Sequence, residues 1–178
     1  MFPFKYIIFW LSLSGLFFGC NPNKEEKPKH HGITKKALQD QFVKANQQVV
    51  QKENDEMDYY AKSHQMNFIN TDFGLRYYVY EASAKGDSIR DGDEITMEYT
   101  VSLLDGTECY SSASEGPKTF KVGHENLESG IHKGVQFLKK GDKALILIPS
   151  HLAHGLLGDM NKIPPQRAIV YDVKILNK

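Results

Sequence analysis

Residues 94–104, EITMEYTVSLL, constrain the fold most. Ile95, Met97, Tyr99, Val101 and Leu103 are apolar, and Thr96, Glu98, Thr100 and Ser102 between them are polar. A period of two sends one set to each face of a pleated strand, so this segment is a strand with one buried face. Asp105-Gly106 follows as a turn signal. Residues 168–176 repeat the pattern with Ile169, Tyr171, Val173 and Ile175, as do Leu75, Tyr77 and Val79 earlier. ALILIP at 144–149 is a continuous apolar run, expected as a buried strand that ends at Pro149. Between the strands, Leu127, Ile131, Val135 and Leu138 are spaced for one short amphipathic helix. That helix is expected to stop at Lys139-Lys140-Gly141. Strands, one helix, strand, loop and strand in that order predict the α+β class, a curved antiparallel sheet wrapping a single helix.

Upstream the pattern changes. From Ile33 to about His64 there is no Gly or Pro, and Leu38, Phe42, Ala45 and Val49 recur at helical spacing, with Met57, Tyr60 and Ala61 continuing a weaker stripe. Thr34 is placed to cap the start. This predicts one or two helices packed on the following domain or on a second copy of the chain.

The first twenty residues, MFPFKYIIFWLSLSGLFFGC, carry one Lys, an apolar run from Tyr6 to Phe18, then Gly19 and Cys20. The run is short for a membrane span and suits a secretory leader. Gly19 before Cys20, with Leu16 nearby, resembles a bacterial lipobox, which implies cleavage before Cys20 and lipid on its thiol; an uncleaved anchor is the alternative. Several acyl chains, rather than one, anchor such a protein stably. Cys109 is then a lone thiol, expected as buried filler. NPNKEEKPKHH after Cys20 has two prolines and no apolar residue, a solvated tether. Its Lys24-Glu25-Glu26 is an ordinary charged linker or resembles a signal for the outer surface in gliding bacteria. The expected organisation is a leader at 1–19, a tether at 20–32, a helical segment at 33–68 and a folded domain at 72–178. Equal counts of 22 basic and 22 acidic residues leave no electrostatic footprint for nucleic acid.

From Gly74 to Leu176, GLRYYV, MEYTVSLLDGTECYSS, FKVG, GVQFLKKGDKALILIPSHLAHG and IPPQRAIVYDVKIL occur in order. Together they resemble the FK506-binding-protein (FKBP) type of peptidyl-prolyl cis-trans isomerase. The resemblance implies isomerisation of X-Pro bonds in proline-containing polypeptides, with no cofactor and no metal. It places Tyr99, Tyr171 and Ile163 at the catalytic pocket, Ile163 as a source of backbone donors and Tyr171 as a wall for the proline ring. Phe120, Leu127, Ile131, His154, Cys109 and Tyr110 would contact substrate. Tyr99 and Tyr171 also read as ordinary core aromatics of alternating strands.

The pocket positions depart from the family pattern. Its usual Phe-Asp pair before two serines is Cys109-Tyr110 here, its floor indole is Ile131, its loop tyrosine is His154, and an aromatic two residues before Phe120 is Lys118. The lipobox, the helical stretch and NFINTDFGLRYYVY together resemble gliding-motility peptidyl-prolyl isomerase lipoproteins. That resemblance implies a lipid-anchored protein of the bacterial envelope, facing the periplasm or the outer surface. It would assist exported proteins and meet envelope or motility-complex partners. A weakly active chaperone or interaction module is the alternative. His124, His132, His151 and His154 form no ligand set by spacing, and neither a G-x-S-x-G sequence nor paired carboxylates suggest a hydrolase.

Overall fold

The computed structural model describes residues 34–177; the apolar leader, Cys20 and the tether lie outside the described residues. Helix α1 spans Lys35–Ser63. The strands are β1 (Ile69–Asn70), β2 (Arg76–Glu81), β3 (Glu94–Leu103), β4 (Glu108–Ser111), β5 (Lys118–Lys121), β6 (Lys143–Ile148) and β7 (Ile169–Ile175). Two short helices, α2 (Ser112–Glu115) and α3 (Ser129–Val135), interrupt them. The strands form one sheet in the order β1-β2-β6-β7-β3-β4, with β5 also paired to β3 and every pairing antiparallel. This is the α+β arrangement that the alternating strands predicted.

The two faces of the sheet are closed differently. Along β6, Ala144, Ile146 and Ile148 enter a large apolar cluster with Ile131 and Val135 of α3. Leu145 and Leu147 point the other way and join Val170, Ala168 and Met57 of α1. A buried strand with helices on both faces needs apolar residues at consecutive positions, the reason ALILI does not alternate.

Two glycines let α3 lie close on β6. A Cβ at Gly130 would come within 2.2 Å of Ile148 Cγ2 and 2.9 Å of the Leu152 carbonyl oxygen, and one at Gly134 within 2.9 Å of Ile146 Cγ2. The helix is shorter than its apolar spacing suggested: Leu127 precedes it and Leu138 follows it. Beyond Val135 the chain turns by tight i→i+3 bonds, Phe137 N–H to Gly134 O and Leu138 N–H to Val135 O. The buried Asp142 carboxylate then takes the Lys139 N–H at 2.8 Å.

Helix α1 is one helix, and its stripe packs differently from the expectation. Leu38, Phe42 and Ala45 are exposed, and the helix is buried at Glu53 and Met57. Polar bonds fix this second half. Glu53 Oε1 accepts the Ser150 N–H at 3.1 Å, and the buried Arg76 donates to the Asn54 carbonyl at 3.1 Å and lies 2.6 Å from Asp58. Through Met57, α1 covers the apolar face of β6 and β7.

Candidate active site

A pocket of about 250 Å³ opens where β3, α3 and the β6–β7 connection meet. Tyr99 and Tyr171 supply its aromatic walls. In the β3–β7 register Val101 faces Tyr171 and Tyr99 faces Val173, so the two tyrosines are diagonal neighbours on one face. Their ring centroids are 6.3 Å apart at 41°. Met97, Val101, Leu127 and Ile131 complete the apolar lining.

The pocket exists because β3 lacks a strand partner midway along one edge. β4 pairs with it at Thr100–Ser102 and β5 at Glu94–Met97. Between those stretches the Tyr99 N–H is taken instead by Ser112 Oγ of α2, at 2.9 Å. That excursion brings Glu115 to the mouth, where it accepts the Tyr99 hydroxyl at 2.6 Å.

The same pairing recurs around the rim. Tyr110 donates its hydroxyl to Asp159. Two of the pocket phenols, Tyr99 and Tyr110, are thus held by carboxylates. Burial, then the Glu115 hydrogen bond, pushes Tyr99 up to about 12. Burial first, and Glu128 next, holds Tyr171 well above the ordinary phenol range. Both stay neutral at physiological pH.

Asp159 behaves oppositely. Burial acts to raise it, but bonds from Tyr110 and the N–H groups of Asn161 and Ile163, with His154 nearby, hold it below the usual carboxylate value. Glu128 Oε1 lies 3.0 Å from His154 Nε2, off the line of the ring N–H, so that nitrogen has no aligned hydrogen-bond partner and no contact with solvent.

Of the residues expected from sequence, Tyr99, Tyr171, Leu127, Ile131, His154 and Tyr110 line this pocket. Phe120, Cys109 and Ile163 do not. Phe120 is buried core with its ring edge-on to His132 at 5.4 Å. Cys109 is a free, buried cysteine whose Sγ lies 3.7 Å from the carbonyl oxygens of Thr107 and Lys162. Ile163 cannot be the expected backbone donor as it stands, because its N–H is given to Asp159 Oδ1 at 2.8 Å and its carbonyl accepts the Asp159 N–H at 3.1 Å. Sequence reasoning missed Glu115, Glu128 and Asp159. Each of these carboxylates comes from a different segment of the chain, which leaves no spacing to read.

Cys109-Tyr110 has a visible use. Tyr110 binds Asp159, Lys162 Nζ donates to the Cys109 carbonyl at 2.6 Å and lies 4.9 Å from the Tyr110 ring centroid, and Asn161 donates to the Tyr110 hydroxyl at 3.2 Å. The pair locks the β6–β7 connection over the pocket.

The sequence model of the FKBP-type peptidyl-prolyl cis-trans isomerases matches residues 86–176. The chain belongs to that family. Among FKBP-type relatives, the isomerase FkpA of Escherichia coli K12 is 36% identical over 105 residues, covering 58% of this chain and 37% of that protein. A probable FkpA from Neisseria meningitidis is 38% identical over 104 residues, again 58% of this chain and 37% of the relative. The chain thus spans well under half the length of these relatives. The crystal structure of Escherichia coli FkpA superposes with a TM-score of 0.61 at 29% identity, covering 80% of this chain and 66% of that one. The FKBP match contains all the residues that line the pocket.

Proposed function

We propose that the chain is a peptidyl-prolyl cis-trans isomerase acting on proline-containing segments of exported polypeptides. The observation that carries this reading is the open pocket between Tyr99, Tyr171 and Ile131. At about 250 Å³ it is roughly eight times the volume a water occupies in the liquid, and no side chain among the described residues fills it. An X-Pro bond turns over a barrier of ~18–20 kcal/mol because planarity gives resonance. Twisting removes that resonance and reduces the polarity of the amide. A pocket whose walls and floor are fixed rings and aliphatic side chains therefore favours the twisted state relative to the planar one. Each ~1.36 kcal/mol gained gives about tenfold in rate. Tyr171 and Tyr99 wall the proline ring, and Ile131 floors it. No group has to form or break a covalent bond.

A second reading is favoured by the acidic lining. Glu115, Glu128 and Asp159 make this pocket more polar than rings alone would, which suits a binding or chaperone module with slow catalysis. A proline tetrapeptide assay on the full chain separates the two. Isomerisation accelerated over the spontaneous rate, and cut about tenfold or more in Tyr171→Ala, supports the enzyme. No acceleration by the unaltered chain rejects it.

The location belongs to the same proposal. The apolar run before Gly19-Cys20 and the polar tether support a lipid anchor on Cys20 and residence in a bacterial envelope. The stretch from the helical segment to NFINTDFGLRYYVY, through its likeness to gliding-motility isomerases, supports service to envelope or motility-complex proteins. Labelled fatty acid recovered on the wild type and absent from Cys20→Ala supports the anchor; equal labelling of both rejects it.

A further inference from the structure

His132 is not among the pocket-lining residues, yet it is buried on α3 next to Ile131, the pocket floor. Both of its ring nitrogens are used. Nδ1 accepts the Gly123 N–H at 2.9 Å, and Nε2 lies 3.0 Å from the Glu125 carbonyl oxygen. A ring nitrogen that accepts from an N–H carries no proton of its own. The proton therefore sits on Nε2 and is donated to Glu125. The Phe120 ring backs the imidazole edge-on, at 5.4 Å between centroids.

Both bonds reach the same segment, residues 123–128 between β5 and α3. The segment is turn and bend, exposed over 123–126, and it ends in Leu127 and Glu128, which line the pocket. Lacking a ladder, it takes its shape from local bonds. Glu125 Oε1 accepts the Lys121 N–H at 2.9 Å, and the Glu125 carbonyl accepts the Leu127 N–H at 2.9 Å. That carbonyl has two lone pairs, and His132 and Leu127 share it. Farther on, the Ile131 N–H is given to the Glu128 carbonyl at 3.0 Å. One imidazole thus ties the floor of the pocket to its wall.

We infer that His132 is a positioning residue of the isomerase pocket: through the Glu125 carbonyl it sets where Leu127 stands against Ile131. The inference rests on the isomerase reading for what enters between them. A ring that only filled the core would be replaceable by another ring of its size. This one holds an exposed loop by two directed bonds. Without the Nε2 bond the loop loses its tie to α3, and the wall at Leu127 shifts while the sheet stays as it is. Displacing a wall by about an ångström is enough to slow a reaction that depends on fit.

The test compares the full chain with three variants. His132→Phe retains a ring against Phe120 and neither bond. His132→Asn places an amide oxygen where Nδ1 stood and is too short to reach Glu125. His132→Gln has an amide that reaches Glu125 and restores that bond. Circular dichroism verifies folding, a proline tetrapeptide reports kcat/KM, and hydrogen exchange reads the backbone amides segment by segment. His132→Phe and His132→Asn are expected to lower kcat/KM about tenfold and to speed exchange over residues 123–128 but not in the sheet. His132→Gln is expected to recover kcat/KM to within about threefold of the wild type. Wild-type turnover in the Phe and Asn variants overturns the inference. Faster exchange spread evenly over the sheet also overturns it, since the ring then serves overall stability alone. If His132→Phe does not fold, the Asn and Gln variants decide: equal turnover in the two overturns the inference. Absence of tetrapeptide turnover by the wild type removes the isomerase reading, and exchange over 123–128 still decides whether His132 holds the wall.

Discussion

The two faces of the sheet use similar residues to opposite ends. On the α1 face, Met57 drops onto Leu145, Leu147, Ala168 and Val170 and closes the surface. On the α3 face, the larger cluster surrounds Ile131 and Val135 but stops short at Tyr99 and Tyr171, leaving an open pocket. One face is finished by packing, the other by hydrogen bonds from phenols to carboxylates. Apolar residues fill whatever they can reach, so a lasting hole needs walls held from outside. Glu115 and Asp159 hold these walls through Tyr99 and Tyr110.

The comparison is tested most severely at Met57. Met57→Ala is expected to cost about 3 kcal/mol, read from chemical denaturation, because a fully buried side chain leaves a cavity. Tetrapeptide turnover by the fraction still folded should be unchanged; a parallel loss of turnover would break the separation of the faces. Gly130→Ala acts on the other face. Its added Cβ pushes α3 off Ile148 and the Leu152 carbonyl, at a cost of about 2 kcal/mol. Here turnover should fall with stability, since Ile131 moves with the helix.

A smaller effect sharpens the role of the carboxylates. Tyr99 binds its proton more tightly folded than unfolded, so its contribution is fully present below the unfolded phenol value and is lost as pH rises from about 10 through about 12. Tyr99→Phe should therefore flatten the decline of stability over that window in a pH series of thermal melts. An unaltered decline would remove the Glu115 bond from the account. The smallest effect belongs to the exposed half of α1: Phe42→Ser, at a residue outside both clusters, should change stability by less than about 0.5 kcal/mol.

How far the site was legible varies residue by residue. Tyr99, Tyr171 and Ile131 were placed at the pocket by the resemblance to the FKBP family; strand alternation and helical spacing by themselves assigned them only to a buried face. Phe120 and Cys109 were expected at the pocket, yet they are packed into the core, since alternation assigns a face and not a position within it. Ile163 lies off the lining for another reason: its amide is given within its own loop, to a carboxylate four residues away that no periodic pattern points to. The apolar stripe of α1 was also real, but Leu38 and Phe42 stay outside while Glu53, a charged residue, is buried. A buried carboxylate is tolerated there because the Ser150 N–H meets it, a partner almost a hundred residues away in sequence.

The order of elements, the antiparallel sheet and the helix on its apolar face were determined by local periodicity, which depends only on near neighbours along the chain. Which of those apolar residues border empty space was decided by tertiary structure, because it depends on segments that meet only after folding. The break between β4 and β5 and the phenol–carboxylate bonds of Tyr99 with Glu115 and of Tyr110 with Asp159 are all of that kind. Each joins residues whose separation in sequence carries no signal and whose approach in space sets the shape of the pocket.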